Sequence, residues 1–141
     1  MAADNALDTI TGEIVDSAFH IHQDLGPGLL ESVYELVLAR DLQRRGLSVD
    51  RQKQISFEYD GLRFDNAFRV DLLVNSQVVV EIKSVEALSA SHPKQVLTYL
   101  RLMKLPVGLL INFNAPTLKA GLRRIVNNLD PSASPRLRVN Q

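Results

Sequence analysis

The chain contains no cysteine and no tryptophan among its 141 residues. Without cysteine there is no disulfide scaffold, no Cys-ligated zinc or iron–sulfur site, and no thiol nucleophile. Long apolar runs are missing too, and none approaches the roughly 18 to 20 residues that a membrane helix needs. The opening stretch MAADNALDTITGE is acidic and lacks the basic n-region of a secretory signal. These absences point to a soluble, cytoplasmic protein with no membrane partner. Histidine is scarce, with only His20, His22 and His92. The first two are one residue apart at the end of a helix-like segment and so point in different directions, which favours surface or partly buried histidines over metal ligands.

Net charge is absent as well, with 16 Lys and Arg against 16 Asp and Glu. That excludes a protein that holds nucleic acid by bulk positive charge, but not one with a local phosphate-binding surface. Residues 1–24 carry −5, residues 25–118 carry +1, and residues 119–141 carry +4. The acidic head and basic tail fit ordinary solvated surfaces, although Arg123, Arg124, Arg136 and Arg138 are able to meet phosphates. With 45% hydrophobic and 23% charged residues, the chain has the composition of an ordered globular domain. Its length suits one domain, expected over residues 1–130, with a loose tail over 131–141 where DPSASPRLRVNQ is rich in proline and small polar residues.

Hydrophobic periodicity orders the rest. Ile10, Ile14, Ala18, Ile21 and Leu25 recur at helical spacing, with Asp8 or Thr9 as a cap and Gly26-Pro27-Gly28 as the stop. A second helix is predicted over Leu29 to Arg45, and its Glu31 and Glu35 share a face. The period then shortens. Ile55, Phe57 and Tyr59 alternate with polar residues up to an Asp60-Gly61 turn. A strand from Leu62 to Val74 follows, interrupted near Asn66, and then a third over residues 77–83. A helix from Pro93 to Lys104, a buried strand from Val107 to Phe113 and a final helix from Leu118 to Asn128 complete the pattern. The expected fold is α/β, a mixed central sheet flanked by helices.

One group of residues carries chemistry. Asp71 lies in RVDLLV, between Val70 and Leu72 on the opposite face, and Glu81 lies in VVVEIKS. If the Asn75-Ser76 turn pairs these strands, the two acids stand nearly opposite, about 5 Å apart. Crowded carboxylates need a proton or a cation, and hard oxygens suit Mg²⁺. Lys83 returns to the Glu81 face, where it can meet a phosphate oxygen or an attacking water. The same residues also fit a plain solvent face on which Glu81 pairs with Lys83 or Arg69.

The blocks GLLESVYELVLARDLQRRG, RVDLLV, VVVEIKSVEAL, QVLTYLRL and GLLINF resemble the bacterial GxxExxY family, a branch of the PD-(D/E)XK nuclease-like superfamily. Gly28-Leu29-Leu30-Glu31-Ser32-Val33-Tyr34 matches the naming motif, and Asp71 with Glu81-Ile82-Lys83 matches the superfamily core. Gln95-Val96-Leu97-Thr98-Tyr99 is similar to the Gln-x-x-x-Tyr motif of RecB-like nucleases. The usual proline before the first acid is absent, with Arg69-Val70 in its place. The likeness spans about residues 9 to 128 and implies a restriction-endonuclease-like core.

What the resemblance implies about the site is specific. Asp71, Glu81 and the Ile82 carbonyl would hold Mg²⁺, with Mn²⁺ as a substitute, and Glu31 would complete the set. Lys83 would orient water, while Gln95 and Tyr99 would line the cleft. Tyr34 reads as a core residue whose hydroxyl supports Glu31. Arg69, Lys94, Arg101, Arg123 and Arg124 are candidate phosphate contacts. The expected activity is metal-dependent hydrolysis of DNA phosphodiesters. Because the chain is too small for a separate recognition domain, cleavage is expected to be structure-dependent or directed by a protein partner. A homodimer would supply two sites for a duplex. The alternatives are a non-catalytic nucleic-acid-binding or adaptor protein that keeps the fold, or a toxin–antitoxin-like partner protein.

Overall fold

A computed structural model describes residues 2–128 and 136–140. The chain runs α1 (Ala2–Leu25), α2 (Glu31–Arg44), β1 (Val49–Tyr59), β2 (Leu62–Val74), β3 (Val78–Lys83), α3 (Ser91–Met103), β4 (Val107–Asn112), α4 (Leu118–Gly121), β5 (Leu122–Val126) and β6 (Leu137–Asn140). The strands form one six-stranded sheet in the order β5-β4-β3-β2-β1-β6. β3 and β4 are parallel, while the other neighbours run antiparallel. The result is an α/β fold, a mixed central sheet with helices on both faces. Its parallel pair needs a long crossover, which α3 supplies.

Alternation along β3 distributes the core between the faces. Val78, Val80 and Ile82 pack with Ile14, Ala18, Leu38 and Leu42 of α1 and α2. Val79 packs on the other side with Val96, Leu100 and Met103 of α3. All six residues of β4 are buried, as an uninterrupted apolar run between two helical layers should be. No helix of the described residues is long and apolar enough to cross a membrane.

Three expectations change. α1 starts at Ala2, so Asp8 and Thr9 lie inside the helix rather than at its cap. The final helix is a single turn that gives way to β5, whose Leu122–Val126 segment pairs with Ile111–Val107 of β4. The backbone edge of β4 is buried and must find partners, and this demand outweighs the weak local helical period. Lastly, Leu137–Asn140 align with Tyr59–Ser56 on the open edge of β1, so this part of the expected tail is a strand. Residues 131–135 and 141 of that tail lie outside the described residues.

The turn into β5 depends on a close approach. A Cβ on Gly121 would lie 2.2 Å from the Asn112 carbonyl oxygen and 2.9 Å from the Ala115 Cβ. Gly121→Ala is therefore expected to cost about 3 kcal/mol, the upper range for overpacking against backbone. Urea unfolding measures it, and a loss below about 0.5 kcal/mol, the level of a neutral surface change, would contradict the contact.

Candidate active site

β2 and β3 pair at Val74↔Val78, Leu73↔Val79 and Leu72↔Val80, and there the ladder ends. The next step would set Asp71 against Glu81. Instead the carboxylates cross. Glu81 Oε2 accepts the Asp71 N–H at 2.7 Å, and Asp71 Oδ2 accepts the Ile82 N–H at 2.8 Å. These backbone donors lose their ladder partners where the strands separate, and the acids replace them with charge-assisted bonds. Alternation also breaks at this point. Leu72 packs towards α1 and α2, whereas Val70 packs towards α3. Val70 and Leu72 thus pack on different sides, although their spacing suggested a shared face.

Glu81 is 5% exposed. Burial, and then the Asp71 carboxylate, push its pKa up to about 8, with Glu35 adding to the shift and Lys83 opposing it. Lys83 is half-buried, and its carbonyl accepts the Phe113 N–H at 2.9 Å, which ties its backbone towards β4. The N–H and C=O of Ile82 therefore face the other way, into the gap with β2. From α3, Tyr99 stacks on Phe68 with centroids 4.3 Å apart. Its hydroxyl pKa is raised by burial and by the Glu81 and Asp71 charges. Gln95 lies one turn earlier on α3 and is exposed.

The two glutamates of α2 part company. Glu31 is exposed and accepts the Ser84 N–H at 3.3 Å. Glu35, one turn on, is 5% exposed and is the member whose charge acts on Glu81. Its Oε2 pairs with Arg51 Nη2 at 3.1 Å, and its Oε1 accepts from the Gln52 side-chain amide. That amide also reaches Asp71 Oδ1 at 3.4 Å. Glu35 and Gln52 are the residues that sequence reasoning missed. Its signal for Glu35 was the face shared with Glu31, but nothing local pointed to Gln52.

Tyr34 explains the GxxExxY spacing in structural terms. It is fully buried and stacks on Phe113 with centroids 4.4 Å apart. Its hydroxyl donates to the Gly26 carbonyl at 2.6 Å and accepts the Leu29 N–H at 3.1 Å, closing the turn before α2. Ser84 Oγ donates to the Leu29 carbonyl at 2.6 Å, so this turn is tied to the end of β3. Beyond Lys83, Asn112 exchanges hydrogen bonds with the backbone of Val85 at 3.0 and 2.9 Å. Tyr34→Phe should cost about 1 kcal/mol, since it removes two part-buried hydrogen bonds that close the turn. A denaturant midpoint unchanged from the parent would contradict that role.

The basic residues divide by position. Arg69 on β2 and Lys94 and Arg101 on α3 are exposed. Arg123 and Arg124 lie on β5, separated from β3 by β4. Arg123 donates to the Ala120 and Leu122 carbonyls, while Arg124 bonds Thr11 at 3.3 Å and Asp8 at 3.5 Å. The structure does not bring these two to the acidic pair.

Asp71, Glu81 and the Ile82 carbonyl offer hard oxygens, the donor type that Mg²⁺ or Mn²⁺ takes. The donor chemistry fits such an ion, although among the described residues no three Asp, Glu or His converge as a ready-made cage. The fold is that of a nuclease-like α/β protein. A family profile for the PD-(D/E)XK nuclease superfamily matches residues 8–125, and the chain belongs to that superfamily. No curated protein and no solved structure gives a significant match.

Proposed function

We propose that this is a metal-dependent nuclease of the GxxExxY branch that hydrolyses DNA phosphodiester bonds. The observation that carries the reading is the crossed Asp71–Glu81 pair at the strand fork, with Lys83 beside it. Asp71, Glu81 and the Ile82 carbonyl hold Mg²⁺, or Mn²⁺ in its place, and Glu35 serves as the third acid in preference to Glu31. When bound, the ion supplies Lewis acidity and a more acidic water.

The chain's own residues do the remaining work. Lys83 orients the attacking water and offsets charge that develops on the phosphoryl oxygens. Tyr99 and Gln95, the RecB-like pair, line the α3 side of the cleft. Arg69, Lys94 and Arg101 contact flanking phosphates. With zero net charge the protein relies on local contacts, which suits structure-dependent or partner-directed cleavage better than general coating of DNA. A cytoplasmic homodimer acting on a duplex is consistent with this reading.

One observation favours a second reading. Glu35 is tied to Arg51 and Gln52, and among the described residues no three Asp, Glu or His form a metal-holding group, as in a binding or adaptor protein that keeps the fold without turnover. Incubating linear, branched and single-stranded DNA, with RNA counterparts, in Mg²⁺ decides between them. The nuclease reading expects cleavage of at least one substrate and its loss in Asp71→Asn. Equal residual activity in parent and variant, or none on any substrate, would sink it.

A further inference from the structure

Within β1, Gln52 has a φ of 52°, a left-handed conformation disfavoured for any residue with a Cβ. Its neighbours pair regularly with β2 at Arg51↔Leu72 and Lys53↔Val70, but Gln52 and Asp71 between them do not. The kink aims the Gln52 amide into the fork, where its nitrogen donates to both Glu35 and Asp71. Arg51 holds the other Glu35 oxygen at 3.1 Å. Side chains of β1 thus occupy both oxygens of Glu35 and one of Asp71, the atoms that an entering cation would need.

Exposure indicates which partner is free to move. The Glu35 side chain is 7% exposed and sits on a packed helix, whereas that of Arg51 is 42% exposed and Gln52 is half-buried at the sheet surface. The donors have solvent to swing into, and the acid does not. Strained backbone of this kind persists where the surroundings hold it, and it often marks a segment with two arrangements.

We propose that Arg51 and Gln52 form an internal latch. They occupy the carboxylates of Glu35 and Asp71 and give them up when a divalent cation enters. This rests on the metal-dependent reading above and adds a coupling to it. Any state in which the latch is closed lowers the apparent cation affinity by the fraction of molecules it holds.

Gln52→Met preserves side-chain length and deletes the donor, while Gln52→Gly deletes it and also relieves the left-handed backbone, a safeguard if the first variant folds poorly. Thermal unfolding in EDTA and Mn²⁺ titration by calorimetry are measured on parent, both variants and Asp71→Asn. The expected result is a midpoint a few degrees lower for Gln52→Met in EDTA. Its Mn²⁺ dissociation constant should be about tenfold smaller, the worth of one charge-assisted hydrogen bond. Asp71→Asn should abolish the Mn²⁺ response. If the parent binds Mn²⁺ and both Gln52 variants bind it equally or more weakly, the latch is overturned and the metal site stands. If neither the parent nor the Gln52 variants respond to Mn²⁺, the metal reading fails and the latch fails with it.

Discussion

Lys83→Met is expected to lower Mg²⁺-dependent DNA cleavage by about 10²–10³-fold, the usual effect of removing one group that stabilises transition-state charge. Lys83 lies two residues beyond Glu81 on the same strand face, and its charge is one of the influences that favour the ionised Glu81. Its backbone is fixed by the bond to Phe113, so the ammonium is presented from a rigid strand rather than a loop. Methionine keeps most of the stem packing and removes only the charge. Folding should therefore survive, and KM should change less than kcat, because the interaction strengthens as charge develops. Lys83→Arg should recover only part of the rate, since a planar guanidinium does not replace a compact ammonium at a water. A variant that cleaves within about threefold of the parent, a change of under 1 kcal/mol in barrier, would remove Lys83 from the reaction.

Glu81→Gln is expected to stabilise the cation-free protein at alkaline pH while abolishing cleavage. In the folded chain the Glu81 pKa is raised to about 8, against an ordinary value of 4.5. Between those pH values the folded state keeps a proton that the unfolded state has released. Raising the pH then favours unfolding, so the parent in EDTA should lose stability progressively from about pH 4.5 to pH 8 and level off above. The loss attributable to Glu81 is on the order of a few kcal/mol. Glutamine carries no charge at any pH, so the variant should lack this slope. Urea midpoints of parent and variant at several pH values give the difference directly. Parallel profiles would mean that Glu81 does not hold a proton in the fold. Adding Mn²⁺ should flatten the parent's slope, since an ion then meets the charge that the proton otherwise neutralises.

Much of this architecture was legible because it is written in local periods. Ile14, Ala18 and Ile21 could only be one stripe of a helix, and Val78, Val80 and Ile82 one face of a strand. That spacing also brought Glu81 and Lys83 to one face and Asp71 opposite Glu81, which is the heart of the site. The crossing of the two carboxylates was not legible. It arises because β2 and β3 separate at that step and leave N–H groups to be satisfied.

By itself, then, the sequence determined the layered α/β plan, the pairing of the two acids and the placing of Lys83. The plan and the placing of Lys83 follow from side-chain periodicity within a segment, and the pairing of the acids from the short Asn75-Ser76 turn that joins their strands. The tertiary structure alone decided three further matters. Leu122–Val126 became a strand because the buried edge of β4 required a partner. Glu35 rather than Glu31 came to share the Gln52 amide with Asp71, since residues on one helical face are equivalent in sequence but lie about 6 Å apart along the axis. Gln52 entered the acidic cluster through a left-handed kink in β1, and it touches Glu35 from a different element. Contacts between elements depend on how helices and strands pack, and that information resides in the assembled core rather than in any one segment.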